Sequence, residues 1–553
     1  MAQPPASVRP AAWQPALPVD RFIVEEPPDA EAIPLDVVFV GGGPAGLAGA
    51  IQLAKLARAD GEEGGDLGEL EIGVLEKAGE LGEHCLSGAV VNPRAFRELF
   101  PELSDGDFPF ARPVSREAVY LLTGARAIRL PTPPTMRNHG NFVGSICEMV
   151  RWLGERAEEL GVNVFPGFPV DSLLVEGTRV AGVRTTPAGL DRKGAPGAGY
   201  QPPMDISATV TVLAEGTRGP LTQAWLEREG IGSPNPQIYA LGVKELWRTR
   251  RPLNRVVHTL GWPLPRDAFG GSFMYPLADD LVALGLVVGL DYRDASLDVH
   301  ELLQQMKLHP LFRPTLEGGE MLEWGAKTIP EGGYYSVPER RHGKGLLVCG
   351  DAAGLVDVPS LKGIHYAMQS GIHAAHAIFA ELKGEGDGLA GFSRALDDSY
   401  VMKDLRRTRN LRLAFKKGFW AGGIRAGLMT ATGGAFPGAR IPVREDVEEE
   451  RRRGSAPAFK PDGELTFSKV DAVYKSGNQT RDDIPSHVLA GAETPPEGAA
   501  FYARMCPAGV YEESEDGELV VNAPNCVDCK ATDVLGPRWT PREGGSGPAY
   551  RRM

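Results

Sequence analysis

The sequence predicts a mixed α/β and α+β chain: a Rossmann-like nucleotide-binding domain, an interleaved β-rich unit, and a small cysteine-bearing unit at the end. Three observations carry this reading. A glycine turn, Gly41-Gly42-Gly43-Pro44-Ala45-Gly46, stands between a short apolar run and a helix-compatible stretch, and a second, Gly350-Asp351-Ala352-Ala353-Gly354, follows another apolar run far along the chain. The long segment between them alternates in strand patterns broken by Gly and Pro. Cys506, Cys526 and Cys529, half of the six cysteines, fall close to the end.

Taken in order, Asp36–Val40 reads as a strand, the glycine turn as a tight loop, and Leu47–Ala57 as a helix. A polar loop, Ala59–Gly68, leads to a second strand, Leu70–Glu76. Segments from about 90 to 345, such as Leu281–Val288, form the β-rich unit. Gly345–Asp351 is a strand entering a turn, with a helical pattern over Gly363–Leu382, so the nucleotide domain is assembled from distant pieces. Beyond about 440 the chain turns polar. Its charge run Arg444–Arg453 reads as a solvated linker, and the Pro-rich start, to about residue 34, as a disordered or loosely docked arm. No internal repeat is visible.

At 553 residues and 42% hydrophobic, the chain is globular with room for two to four units. A formal net charge of −13 leaves no general basic field for phosphates, which excludes nucleic acid as a partner. Six unevenly spread cysteines are too few for a disulfide scaffold and fit a reducing compartment. No apolar run reaches the roughly eighteen residues of a spanning helix, and the start lacks the apolar centre of a signal peptide, so any membrane contact is at the surface.

Gly41, Gly43 and Gly46 form G-x-G-x-x-G between strand and helix, where the glycines serve the tight turn, close approach to a pyrophosphate, and helix packing. Helix-start amides face the phosphates. Glu76 ends the second strand, where an acid binds the adenosine ribose, and the loop before it explains the long spacing; a surface carboxylate is the alternative. Asp351 would accept from a ribityl hydroxyl, and Val210–Gly216 is a middle strand running into a turn that closes over the nucleotide. Three such elements favour FAD over NAD, which needs only the first. Cys85, Cys147 and Cys349 read as packing residues.

Cys526-Val527-Asp528-Cys529 places two thiolates on a tight loop, with Cys506-Pro507 twenty residues upstream as a companion. Zinc is the alternative, but three thiolates without a close histidine make a poor tetrahedral set. A cubane needs four ligands, and only three cysteines are present.

Several segments then carry a family resemblance: Tyr239–Trp247, His258–Leu264, Gly270-Gly271-Ser272-Phe273, Gly289–Tyr292, His309-Pro310, Pro314–Gly319, Lys362–His365 and Glu543–Tyr550. With them the chain, from about residue 36 to the end, resembles the electron-transfer-flavoprotein:ubiquinone oxidoreductases, monotopic flavoproteins with one FAD and one [4Fe–4S] cluster. The resemblance implies that Gly41, Gly43, Pro44, Ala45, Gly46, Glu76 and Lys77 bind the ADP half of FAD, and that Gly216, Gly350, Asp351, Gly354 and Gly363 complete its contacts. It puts Gly270 and Gly271 on the quinone head, and Cys506, Cys526 and Cys529 on the cluster.

The fourth ligand position falls on Thr532, a departure. This leaves open a [3Fe–4S] form, a water, Thr532, Asp528 or Asp533 oxygen as ligand, or a labile cluster. A second departure is Gly350-Asp351, which resembles the general flavoprotein pattern more than the Cys/Ser/Pro turn of some family members.

The implied organisation is an arm (1–34), a discontinuous FAD-binding domain (35–90, 140–230 and 340–400), a quinone-binding domain (91–139 and 231–339), a basic membrane-surface segment (401–440) and a ferredoxin-like iron–sulfur domain (441–553). Lys403, Arg406, Arg407, Arg409, Arg412, Lys416, Lys417 and Arg425 face one acid, Asp404, among Leu411, Phe415, Phe419, Trp420, Ile424 and Leu428. Such a patch suits a headgroup layer; docking to the acidic tail or to a partner is the alternative.

The implied activity is transfer of electrons from reduced electron-transfer flavoprotein to ubiquinone or menaquinone, by a monomer on the cytoplasmic face of a bacterial inner membrane. No acid–base residue is assigned for certain, with His365 and Tyr275 as candidates. The rivals are a flavin-dependent hydroxylase or polyprenyl reductase of the same flavin fold, and a non-catalytic docking protein with a broken cluster.

Overall fold

Runs of Val, Leu and Phe buried on both faces make a parallel sheet. In the computed structural model, which describes residues 7–88, 90–454, 459–491 and 494–553, Ile33–Val40 lies between Ile72–Glu76 and Asp205–Leu213, parallel to both. Leu346–Val348 extends this sheet beyond Asp205–Leu213, and Asn163–Pro166 extends it beyond Ile72–Glu76. Pro44–Glu62 and Ile364–Lys383 are its long helices. They meet backbone to backbone, because a Cβ on Gly371 would stand 2.2 Å from the Ala45 carbonyl oxygen.

A second sheet of seven strands runs in the order Glu320–Pro330, Tyr239–Arg248, Leu281–Gly289, Gly270–Pro276, Val256–Gly261, Glu117–Leu122, Ala127–Leu130. Its first strands alternate between two buried faces. One face shares a core with the C-terminal unit, so Leu241, Trp247, Leu284 and Trp324 pack in the same cluster as Tyr502, Cys506, Cys526, Cys529 and Trp539. In that unit the helix Pro496–Met505 delivers Cys506, a hairpin of Tyr511–Glu513 and Leu519–Val521 follows, and the helix Ala531–Leu535 closes the cysteine loop.

Two expectations are corrected. The N-terminal arm is not disordered or loosely docked over its described part: Ile23–Val24 pairs with Leu173–Leu174, Ser7–Val8 pairs with Arg451–Arg452, and Phe22 is fully buried. One apolar ring and two stretches of backbone pairing are enough to fix it. The charge run Arg444–Arg453 is not a solvated linker either. Asp446 accepts from the Tyr239 amide at 2.7 Å, and the buried Arg451 donates to the Leu290 carbonyl at 2.7 Å. These side chains satisfy backbone groups at strand ends of the second sheet, which is why charges sit in its core.

Candidate functional site

The first glycine turn meets its geometric demands. Gly41 has φ +116°, and a Cβ there would lie 2.4 Å from the Ala214 carbonyl oxygen; one on Gly46 would lie 2.1 Å from the Gly41 oxygen. At Gly43 a Cβ would meet nothing within 4 Å, so the space before the start of the helix Pro44–Glu62 is open to a ligand. Glu76 accepts from the Gly42 and Ala78 amides, both at 2.9 Å, which aims its carboxylate across the turn.

These residues wall a cavity of about 350 Å³ between the two sheets, a size suited to a cofactor. Of the residues predicted for FAD, Gly41, Gly43, Pro44, Ala45, Glu76, Lys77, Gly216, Asp351 and Gly363 line it. Gly46, in the first turn of the helix Pro44–Glu62, and Gly350 and Gly354, turn residues at φ +63° and +74°, stand behind the wall. Burial pushes the Asp351 carboxyl up to about 6, with Lys327 and a hydrogen bond to Thr217 pulling the other way. The residues present therefore fit FAD.

Gly270 and Gly271 do not line this cavity. They open the strand whose Phe273 and Tyr275 do, and Gly271 shares its face with them at alternate positions. Of the two proton-donor candidates, Tyr275 lines the cavity and bonds His258 Nε2 at 2.6 Å, whereas His365 is buried outside it, against Tyr366.

Cys506, Cys526, Cys529 and Thr532 line one small enclosed cavity. Burial pushes all three thiols up, Cys526 to about 12, and each feels at least one of the others or a nearby acid as a further upward push. The three sulfurs share one enclosed cavity, and the Val510 amide points at Cys506 Sγ at 3.5 Å. They fit an iron–sulfur cluster. Thr532 donates to the Pro537 carbonyl at 3.2 Å and bonds the Tyr511 hydroxyl. Asp533 is also engaged, by Arg218 at 2.8 Å and Gln223 at 3.1 Å.

Asp528 ties the two cavities together. In left-handed backbone at φ +52°, its carboxylate accepts from Trp539 Nε1 at 3.1 Å and Arg542 at 3.0 Å, pairs with Lys77, and stands 3.7 Å from Cys526 Sγ. Burial alone would lift this carboxyl, yet Arg542 and Lys77 hold it well below the usual range. Lys77, predicted to face FAD, thus also reaches the cysteine loop. The premise that no histidine lies near the thiols is corrected: His487, Cys526 and Asp528 bring ligand atoms within 4.8 Å of one another. Thirty-nine residues separate His487 from Cys526 in sequence, which hid the contact. Lys244, Lys327, Lys530 and Trp539 also line the large cavity without having been singled out.

The basic segment divides. Arg412 is buried and pairs with Glu331 at 2.6 Å and Asp291 at 2.9 Å, and Lys416 pairs with Asp291 and Glu449, so these two hold the segment to the body. Outward, the helix Phe419–Ala431 shows Trp420, Ile424 and Leu428 at four-residue spacing, 68%, 70% and 45% exposed, with Phe436 beyond. Lys403, Arg406 and Arg407 are exposed nearby; the Lys417 side chain lies outside the described residues. No helix among the described residues is long and apolar enough to cross a membrane.

Comparison with known proteins adds to this geometry. Residues 239–329 match the family model "ETF-QO, ubiquinone-binding", and residues 463–551 match "Electron transfer flavoprotein-ubiquinone oxidoreductase, 4Fe-4S". The chain is 39% identical to the mitochondrial electron transfer flavoprotein-ubiquinone oxidoreductase of Oryza sativa subsp. japonica, covering 95% of this chain and 94% of that protein. It is 38% identical to the Homo sapiens counterpart, covering 94% and 89%. Among solved structures, a geranylgeranyl bacteriochlorophyll reductase-like protein from Thermoplasma acidophilum shares the fold at TM-score 0.56 and 19% identity, covering 72% of this chain and 91% of that one.

Proposed function

Because the chain belongs to the electron-transfer-flavoprotein:ubiquinone oxidoreductase family, we propose that it takes electrons from reduced electron-transfer flavoprotein and passes them, by an iron–sulfur cluster and FAD, to a membrane quinone. One observation carries this reading: Cys529 lines the small cavity and the next residue, Lys530, lines the large one. When bound, the cluster supplies single-electron transfer and FAD both one- and two-electron chemistry. The chain's part is to hold the two groups a residue apart and dry. Gly43, Glu76 and Asp351 orient the nucleotide, while Trp539, Lys77 and Asp528 fill the space between the sites.

Cys506, Cys526 and Cys529 are the cluster's thiolates, and Thr532, already bonded to Pro537 and Tyr511, is a weaker fourth donor than a cysteine. Three cysteines are one donor short of a [4Fe–4S] cluster, so a bound cluster would take a donor other than cysteine at its fourth position. The quinone, ubiquinone or menaquinone, reaches the cavity along the face of Gly270, Gly271 and Phe273. Trp420, Ile424 and Leu428 rest in a lipid surface, and we place that surface on the cytoplasmic side of a bacterial inner membrane, where thiols stay reduced. In this reading the protein acts as a monomer. Residues 35–90, 140–230 and 340–400 serve FAD, 91–139 and 231–339 quinone, and 441–553 the cluster.

The test is anaerobic purification followed by quinone-analogue reduction with reduced electron-transfer flavoprotein, with iron and sulfide analysis and electron paramagnetic resonance. We expect FAD, iron and turnover, a three-iron signal after ferricyanide, and no such signal in Thr532→Cys. A chain that holds FAD and iron but never reduces quinone is a docking protein, and the reading is then wrong.

A further inference from the structure

His487 is a buried imidazole with neither nitrogen engaged. The residue is 2% exposed, and Nδ1 and Nε2 both lack a hydrogen-bond partner. A buried polar group left unmatched is unfavourable, so the ring calls for a partner. It lines neither cavity. It stands instead against the cysteine loop, where ligand atoms of His487, Cys526 and Asp528 lie within 4.8 Å of one another.

Local structure holds the ring there. Val488–Leu489 pairs with Arg538–Trp539, and the His487 carbonyl, one residue earlier, accepts from the Thr540 amide at 2.8 Å and from Thr540 Oγ1 at 3.0 Å. The imidazole meets Trp539 edge to face, with ring centroids 6.1 Å apart, and Trp539 is in turn bonded to Asp528. Imidazole, indole and cysteine loop thus form one packed unit.

The chemistry of the neighbours selects the partner. Asp528 is already loaded: Oδ1 accepts from Trp539, Arg542 and the Cys526 thiol, the last at 3.7 Å, and Oδ2 takes Lys77. The sulfur differs, because metal binding reverses its role. As a thiol, Cys526 donates its proton to Asp528. As a thiolate on iron it has no proton to give, stands beside a carboxylate, and becomes an acceptor. A ring N–H close by and bonded to nothing else is placed to serve it.

Resting on the proposed cluster, we infer that His487 is a positioning residue of the electron path: its imidazole N–H turns to the Cys526 sulfur once that sulfur holds iron, and the hydrogen bond makes the cluster easier to reduce. The reduced cluster carries one more negative charge, shared by its sulfurs, so a donor there stabilises the reduced form more than the oxidised one. The electron comes from the donor flavoprotein, and no proton leaves the ring.

The test is a redox titration of the anaerobically reconstituted full chain, followed by electron paramagnetic resonance. His487→Phe keeps a ring against Trp539 and removes the donor; His487→Gln keeps an N–H. In His487→Phe the cluster midpoint potential should fall by at least a tenfold change in the reduction equilibrium, about 59 mV for one electron, and in His487→Gln by less than half as much. The flavin potential should hold in both. An unchanged cluster potential in His487→Phe means that another donor serves Cys526, such as Arg542, whose Nε and Nη1 are also unpartnered, and overturns the assignment. A His487→Gln potential as low as that of His487→Phe overturns it too. Should His487→Phe hold no cluster, pulsed resonance on wild type labelled with ¹⁵N-histidine decides: a weak nitrogen coupling to the reduced cluster supports the hydrogen bond, whereas no coupling, or one as strong as a direct iron ligand's, overturns it. A wild type that holds a cluster without reducing quinone sinks the proposed function and leaves the potentials to judge His487; a wild type that binds no cluster sinks both.

Discussion

Asp351 gains its proton near pH 6, within reach of a simple stability test. Its folded carboxyl lies above the ordinary 3.8, so between about pH 4 and 6 the folded protein holds more protons than the unfolded chain. Stability from this group is full below pH 4 and is lost as pH rises through 6. The apoprotein of Asp351→Asn should therefore be more stable than wild type at pH 7, by up to roughly 3 kcal/mol, with the difference vanishing near pH 4 in urea titrations. The same variant should retain FAD more weakly. Asp351, the glycine turn and the three cysteines were legible in the sequence because each lies in a short contiguous pattern. Lys244, Asp528 and His487 were not, since they reach their sites through strand register or across long stretches of chain. In sequence Lys244 stands beside Glu245, the two charges of an otherwise apolar segment, Tyr239–Trp247.

On the scale of elements, the basic segment shows how composition misleads about direction. Eight cations suggested one surface, but Arg412 turns inward to two acids far off in sequence, Asp291 and Glu331. Arg412→Met leaves the buried Glu331 carboxylate unpaired and Asp291 with Lys416 alone, and should cost about 3–5 kcal/mol, read by chemical denaturation. The outer face of the next helix should behave oppositely. Trp420→Ser with Ile424→Ser ought to leave the melting temperature within a few degrees and reduce binding to anionic vesicles several-fold in flotation assays, because these side chains touch little of the protein. Equal vesicle binding by that double variant would remove the lipid-facing role. Helix and strand types were readable from period and punctuation. The arm and the charge run were misjudged because a single ring, Phe22, and a few backbone partners decide their order.

For the whole molecule, the C-terminal unit is an extension of the second sheet's core rather than an independent bead. Its cysteines and Trp539 pack with Trp247 and Trp324, so residues 441–553 produced alone should show no cooperative unfolding by circular dichroism. Conversely, Cys526→Ala should empty the iron site yet keep the yellow flavin spectrum, since the glycine turn draws its support from the other core. The nucleotide sheet carries a further consequence. Its central strand, Ile33–Val40, finds one neighbour at residues 72–76, but the other arrives only with residues 205–213, and the late strand 346–348 must still add before the sheet is complete. A ribosome therefore releases the sticky apolar edge of the first strand long before its cover exists. During that interval the nascent chain depends on holding factors, and slowing translation beyond residue 213 should spare more protein from aggregation than slowing it before.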